Sequence, residues 1–325
     1  MRWNASDFWR FWASEAGRRT AGTLVGVASV SGALLHIIPH GPLYEEYASI
    51  FQAYYEGFPV SLRPEVRELA EKVRDEVAAS TSDNNVKFYV NCGFDPVTIG
   101  STKTRFGATV GLPYNINYVS TEDINRVELN LNEKLFPSSS AEGKKVLETL
   151  ILSKDAQKFL IARELEIAHS YRVWISAFST AGIIFLVYLW SHKFNKHLNL
   201  FSRSWKWRAT LYTILTAIAL TIRMLLGDSY RNRLEMKADK FASELGPDFA
   251  AGGKEYLTKC LERNKMLREL LGDDGVKKYT PTGNEVALVR QQQPPLTHRL
   301  DVMQKIVEKW QEKNAVVSSK EANVP

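Results

Sequence analysis

Three long apolar stretches divide the chain, and polar sequence fills the spaces between them. They cover residues 20–39, 171–190 and 209–226. Each is close to the length of about 20 residues that a helix needs to cross a bilayer. We therefore predict two or three transmembrane helices. Arg223 interrupts the third stretch close enough to its end to snorkel to the interface.

The polar sequence after the first stretch predicts a small α+β region. Residues 63–79 have helical spacing of apolar positions, with Pro64 in the first turn. Ser138–Ser140 and Gly143 predict a loop. Short β-rich runs separated by Gly and Pro predict a small sheet; they are residues 86–90, 97–99, 108–110 and 127–129.

The second apolar stretch continues a charged helix. Ser153 is the predicted N-cap, and no Gly or Pro follows until Gly182, so we expect one continuous helix from Ser153 to Trp190. Further helices are predicted at 230–245, 253–271 and 295–313. The predicted fold class is an α+β membrane protein, mainly helical, with a small β-sheet.

Positive charge is concentrated beside the apolar stretches. The formal net charge is +6. Many of the cations lie in two short segments: Arg2, Arg10, Arg18 and Arg19, then Lys193, Lys196, Arg203, Lys206 and Arg208. This placement is a topology signal rather than the basic stripe of a nucleic-acid-binding domain, so no nucleic acid is expected as a partner. Cys92 and Cys260 are too few for a disulfide framework, and their spacing does not decide whether they pair.

These signals predict a division of the chain around the membrane. The basic segments 1–19 and 191–208 are two crossings apart and share the matrix or cytoplasmic side. Residues 40–170 and 227–325 then share the opposite side and can fold together. The predicted parts are a basic arm (1–19), transmembrane helices (20–39, 171–190 and 209–226), a basic loop (191–208), two soluble halves (40–170 and 227–313) and a disordered tail (314–325).

Three separated motifs carry the candidate chemistry: ARELEI at 162–167, EMKAD at 235–239 and PPLTHR at 294–299. In order and spacing they resemble the membrane-embedded zinc metalloproteases of the CAAX prenyl protease and HtpX kind. That family has A-H-E-x-x-H on one helix, then often two membrane helices, then E-x-x-A-D and P-P-L-x-x-R. The resemblance implies a degenerate gluzincin-like metalloprotease architecture.

The residues needed for zinc are largely missing. Two histidines at i and i+4 can share one zinc ion, with the intervening Glu as general base. Arg163 and Ile167 stand at those two positions; arginine does not deprotonate and isoleucine has no donor atom. Of the family's ligands only Glu235 remains, beside the would-be base Glu164. We expect a pseudoprotease with no metal, no cofactor and no small-molecule substrate.

The same motifs allow two other arrangements. Glu166, His169 and Glu235 would form a two-carboxylate, one-histidine metal site, but bundle sites use such E-x-x-H steps in pairs. We therefore expect Glu166 on a solvated or hydrogen-bonded face. We also expect the Arg163 guanidinium to contact Glu235 in place of the ion, or else to pair along its own helix.

The last two motifs add two further expectations. We expect Asp239 to be a hydrogen-bonding residue of its helix or turn. Arg299 either clamps an acidic group or caps the fold, and we favour the capping role.

A second resemblance covers most of the chain. It rests on SKDAQ at 153–157 with ARE at 162–164, then LRELLGDDG at 267–275 and YTPTGN at 279–284. These segments resemble the transmembrane protein 177 family. The resemblance implies a mitochondrial inner-membrane protein that supports cytochrome c oxidase subunit II maturation by stabilising the new subunit and its chaperone. With the charge pattern, this places residues 40–170 and 227–325 on the intermembrane-space side.

Three functional hypotheses follow. The leading one is a membrane scaffold that holds a peptide by strand addition at a sheet edge between residues 86 and 112, near Glu164. The alternative is an active zinc metalloprotease with an atypical ligand set. The third is a structural membrane protein whose contacts run through its spans, where Gly22, Gly26 and Gly32 permit close helix packing.

Overall fold

The computed structural model describes residues 5–78, 85–120, 129–131, 134–136, 141–287 and 290–321. The fold is mainly helical with small sheets, as predicted. It divides into two compact units: residues 1–43 with 171–230, and residues 44–170 with 231–325.

The described helices are α1 (Ala5–Ala13), α2 (Glu15–His40), α3 (Tyr44–Ser49), α4 (Pro64–Ala78), α5 (Ala141–Leu150), α6 (Lys154–Ala168), α7 (Arg172–His197), α8 (Trp205–Glu244), α9 (Pro247–Leu270), α10 (Asp273–Lys278) and α11 (Leu296–Glu321). The strands are β1 (Tyr54–Tyr55), β2 (Phe58–Pro59), β3 (Val86–Val90), β4 (Val97–Ser101), β5 (Gly107–Leu112), β6 (Leu129–Leu131) and β7 (Lys134–Phe136).

The first unit contains three helices long and apolar enough to cross a membrane: α2, α7 and the apolar part of α8. Two of the three predicted glycines lie against α7. A Cβ added at Gly32 would be 3.0 Å from Ile184 Cδ1, and one at Gly22 would be 3.1 Å from the Tyr188 hydroxyl. Gly26 has no such atom within 4 Å. Small residues therefore permit the close α2–α7 contact at two of the three predicted positions.

Arg223 links the three spans. Its Nη2 donates to Thr180 Oγ1 on α7 at 2.7 Å and lies 3.2 Å from His36 Nε2 on α2. Arg223 was predicted to snorkel to the interface, but its guanidinium finds its hydrogen-bond partners elsewhere. Polar partners on the neighbouring helices do so, because unpaired N–H groups are costly in an apolar surrounding.

The sheet of the second unit has the order β3-β5-β4. β3 and β5 are parallel, with Val86 opposite Ala108, and β4 is antiparallel to β5. These strands match the predicted runs to within two residues. Of the fourth run, residues 127 and 128 lie outside the described residues, and Leu129 begins β6, which pairs with β7.

The predicted continuous helix from Ser153 to Trp190 is wrong, because α6 ends at Ala168 and α7 begins at Arg172. The Ala168 carbonyl accepts a hydrogen bond from the Thr102 N–H at 3.0 Å. The Ser170 carbonyl accepts one from Ser101 Oγ at 2.7 Å. The end of β4 therefore binds the carbonyl groups that would otherwise continue the helix, a partner that no local sequence signal reveals.

Several other predicted boundaries also differ. Gly143, where a loop was expected, lies in α5, while 138–140 lie outside the described residues. The helix predicted to begin at 230 is the continuation of α8. The last helix runs to Glu321 rather than 313, so part of the predicted disordered tail is helical; residues 322–325 lie outside the described residues.

Helix α9 begins six residues before its predicted start at 253, and the prediction was misled by two glycines. A Cβ at Gly252 would lie 2.1 Å from the Asp155 carbonyl oxygen, and one at Gly253 would lie 2.7 Å from the Phe159 ring. Glycine disfavours helix by itself, so the sequence suggested a boundary. In the fold, both glycines let α9 press against the buried helix α6.

This contact gives a stability prediction. We expect Gly252→Ala to lower the free energy of unfolding by about 3 kcal/mol, because the new methyl group collides with backbone atoms of α6. Gly227→Ala is the matched control, since Gly227 lies in α8 with open space around it. It should be neutral or stabilising by up to about 1 kcal/mol. Thermal unfolding of the full chain in detergent measures both; equal stabilities would contradict the close contact.

Candidate functional site

Helix α6 lies in the core of the second unit. Ser153 caps it as predicted, accepting a hydrogen bond from the Ala156 N–H at 3.2 Å. Glu255 on α9 holds the cap in place through the Ser153 N–H at 3.1 Å. Nearly every residue from Ala156 to Ala168 is buried, including the charged ones. The candidate motif at 162–167 is therefore enclosed.

Arg163 lies at the centre of a cluster of three carboxylates. Its guanidinium forms ion pairs with Glu164 and with Glu235 of α8, and its Nε donates to Asp239 Oδ1 at 3.0 Å. The side chains of Arg163, Glu164 and Asp239 are at most 5% exposed, and that of Glu235 is 18% exposed. The expected Arg163–Glu235 contact is confirmed, and Arg163 also pairs with its neighbour along the helix. We call these residues, with Arg299, the Arg163 cluster.

Arg299 of α11 completes the cluster. Its Nε donates to Asp239 Oδ2 at 2.6 Å and its Nη2 to Asp239 Oδ1 at 2.8 Å. The favoured capping role for Arg299 is wrong, because it clamps an acidic group. Asp239 is a hydrogen-bonding residue as predicted, but its donors are guanidinium groups of two other helices rather than groups of its own helix or turn. The cluster sets two guanidinium groups against three carboxylates, which joins α6, α8 and α11.

Both arginines remain charged in this setting. Burial lowers the pKa of Arg163, but attraction to Glu235, Glu164 and Asp239 outweighs burial and raises this pKa well above its ordinary value. Burial likewise lowers the pKa of Arg299, and Asp239 more than offsets it. Arg163 is thus a fixed cation next to the carboxylates that the zinc-protease motif would use.

Glu164 has a further partner that was not predicted from the sequence. Thr98 Oγ1 on β4 donates to Glu164 Oε2 at 2.6 Å. No charge pattern or spacing in the sequence marks Thr98. β4 is at one side of the three-stranded sheet and next to Glu164, where the peptide-binding edge was predicted. However, Thr98 to Ser101 are buried, so a peptide cannot pair with β4 unless the residues that cover it move.

The remaining candidate residues are held apart by other partners. Glu166 accepts a hydrogen bond from Lys237 Nζ at 2.6 Å, which confirms the hydrogen-bonded face predicted for it. His169 Nδ1 lies 2.9 Å from Thr102 Oγ1. Ile167 is buried. Within the described residues, no three His, Cys, Asp or Glu side chains are grouped so that they could hold a metal ion. Cys92 and Cys260 are free thiols.

Sequence similarity extends over most of the chain. The family model for transmembrane protein 177 matches residues 12–321. The chain belongs to the transmembrane protein 177 family. A member from Danio rerio is 30% identical over 272 residues, 82% of this chain and 86% of the relative. One from Xenopus laevis is 28% identical over 297 residues, 90% and 95% of the two chains, and one from Homo sapiens is 27% identical over 308 residues, 91% and 95%.

The range matched by the transmembrane protein 177 model contains the whole Arg163 cluster. No solved structure matches this chain. Family membership therefore rests on sequence, and the degenerate metalloprotease architecture stays a prediction.

The cluster makes a quantitative prediction. We expect Asp239→Asn to lower the free energy of unfolding by about 3–5 kcal/mol. The amide replaces one acceptor oxygen with a donor that faces two guanidinium groups, and Arg299 loses the carboxylate that holds it. The measurement is thermal unfolding of the full chain in detergent.

The matched control for this measurement is Glu244→Gln on the same helix. Glu244 is 60% exposed and 3.7 Å from Lys240. Its loss should change stability by about 0.5 kcal/mol or less. If Asp239→Asn costs no more than the control, the Arg163 cluster does not hold these helices together.

Proposed function

We propose that this protein is a non-catalytic scaffold of the mitochondrial inner membrane that supports cytochrome c oxidase subunit II maturation. In this role it stabilises the newly made subunit and the inner-membrane chaperone dedicated to it. Membership of the transmembrane protein 177 family supports this assignment through the segments at 153–164 and 267–284. The observation that carries the non-catalytic part is the ion pairing of Arg163 with Glu164 and Glu235.

The ion pairs argue against hydrolysis by the motif at 162–167. A zinc protease needs a metal-bound water and a carboxylate free to take its proton. Glu164 accepts hydrogen bonds from Arg163 and Thr98. Both oxygens of this carboxylate therefore already accept a hydrogen bond. Glu235, the other residue that the motif would use, is also bound to Arg163.

We further propose that the second unit has a degenerate metalloprotease architecture, in which the guanidinium of Arg163 has taken the place of the metal ion. Three elements support this proposal in chain order. α6 carries Arg163 and Glu164, α8 carries Glu235 and Asp239, and α11 carries Arg299. All three motifs of the resemblance thus meet in one buried cluster.

The membrane part of the proposal rests on the three apolar helices and the charge pattern. The basic segments 1–19 and 191–208 favour the matrix side. Residues 40–170 and 227–325 are then on the intermembrane-space side. There the protein would meet the parts of subunit II that lie outside the bilayer.

Cells that lack the protein provide the test. We expect wild type and Glu164→Gln to restore the lifetime of newly made subunit II equally, per molecule of scaffold present. The glutamine keeps an acceptor oxygen for Arg163, its amide N–H can donate to the Thr98 hydroxyl, and it removes the proton-accepting carboxylate. Pulse labelling of mitochondrial translation gives the lifetime, and the abundance of the variant is measured in the same cells.

The alternative is an active zinc metalloprotease with an atypical ligand set, and it predicts the opposite result. Glu164→Gln would then fail at normal abundance, and the purified protein would contain stoichiometric zinc that Glu235→Ala removes. Either observation would replace the scaffold assignment. If the wild-type protein itself does not lengthen the lifetime of newly made subunit II in these cells, the role in subunit II maturation is wrong.

A further inference from the structure

Two arginines of the first unit share an aromatic ring. Arg18 on α2 and Arg208 in the first turn of α8 place their guanidinium carbons 5.2 Å and 5.7 Å from the centroid of the Phe201 ring. Trp9 of α1 stacks on Trp205 with 4.7 Å between ring centroids and 5° between planes. Arg208 is also 5.9 Å from the Trp9 ring. The two guanidinium groups therefore lie close to a shared group of aromatic rings.

The charge of these arginines is not balanced by the described side chains. Arg208 is 4% exposed, and its one recorded hydrogen bond runs from Nη2 to the Trp9 carbonyl at 3.4 Å. The Nε atoms of Arg18 and Arg208 are both buried without a hydrogen-bond partner. Neither arginine forms an ion pair with any carboxylate whose side chain the structure describes, whereas neighbouring Arg19 pairs with Glu15 at 2.6 Å.

Such a pair of cations has a strong preference for an anion. Cation–π contacts offset part of the cost of burial, but they leave the positive charge in place. Bringing two guanidinium groups to one ring also costs Coulomb energy. Planar guanidinium groups bind phosphate oxygens through paired hydrogen bonds.

The position of the two arginines indicates which kind of anion they meet. Arg18 precedes the apolar stretch 20–39, and Arg208 precedes the stretch 209–226. The loop at 191–208 contains no acidic residue. Trp205 is 42% exposed, as expected for a tryptophan at the membrane interface. Phospholipid headgroups are the phosphates found at that depth, and basic pockets between membrane helices bind anionic ones.

We propose that Arg18 and Arg208 bind the phosphate of an anionic phospholipid headgroup, with Trp9 and Trp205 at the rim of the site. The lipid would neutralise the two arginines and join the start of α2 to the start of α8. The site is independent of the Arg163 cluster and of the role in subunit II maturation.

The test uses the purified full chain in detergent, titrated with phosphatidylglycerol and followed by native mass spectrometry. We expect Arg208→Gln to bind phosphatidylglycerol about 10- to 100-fold more weakly than wild type, because a charge-assisted contact is lost. Arg19→Gln is the matched control, since it removes the same charge from an exposed arginine that pairs with Glu15. It should bind like wild type. Arg18→Gln gives a second reading if Arg208→Gln does not fold.

Other ligands distinguish the possible sources of the phosphate. Phosphatidylcholine carries no net charge and should bind about 10-fold more weakly than phosphatidylglycerol, because its choline cation is repelled. Inorganic phosphate should not compete at equal concentration, since it lacks acyl chains. Equal binding of phosphatidylglycerol by wild type and by folded Arg208→Gln or Arg18→Gln would overturn the site. Full competition by inorganic phosphate would overturn the lipid assignment.

Discussion

The ion pairs of the buried Arg163 guanidinium hold the second unit together. Its charge lies within the core, where an uncompensated ion costs several kcal/mol. Glu164, Glu235 and Asp239 supply the compensation, and Arg299 in turn fixes Asp239. One guanidinium thereby determines how α6, α8 and α11 meet. Each of these helices belongs to a different part of the chain, so the cluster joins segments that lie before and after the apolar stretches.

The same interaction accounts for the proposed function. A site that binds zinc needs neutral histidines or ionised carboxylates with free lone pairs. Here the carboxylates are already occupied by a cation that does not leave at any physiological pH. The proposed scaffold role needs only a folded domain attached to membrane helices, and it does not require the motif at 162–167 to carry out hydrolysis.

The sequence predicted those features that are encoded locally. β-rich runs between Gly and Pro predicted β3, β4 and β5 to within two residues. The cap at Ser153 followed from the preference of serine for that position. Features set by distant contacts were missed. The end of α6 depends on Ser101, the last residue of β4, and on Thr102, which follows it. The start of α9 was predicted too late because its glycines suggested a helix boundary. Their close contact with α6 is a tertiary feature that the local sequence does not show.

The candidate site was predictable to the same extent. The contact of Arg163 with Glu235 was predicted from the resemblance to the zinc-metalloprotease motifs, in which these two positions bind the same ion. The clamp of an acidic group by Arg299 was the less favoured of two alternatives, and its partner Asp239 lies on a helix far away in the chain. Restoring the lost ligands tests the central claim most directly. In Arg163→His with Ile167→His, we expect about one zinc per chain by plasma mass spectrometry, none in wild type, and loss when Glu235→Gln is added. A folded double variant with no zinc would contradict the claim that Arg163 stands in the place of a metal ion.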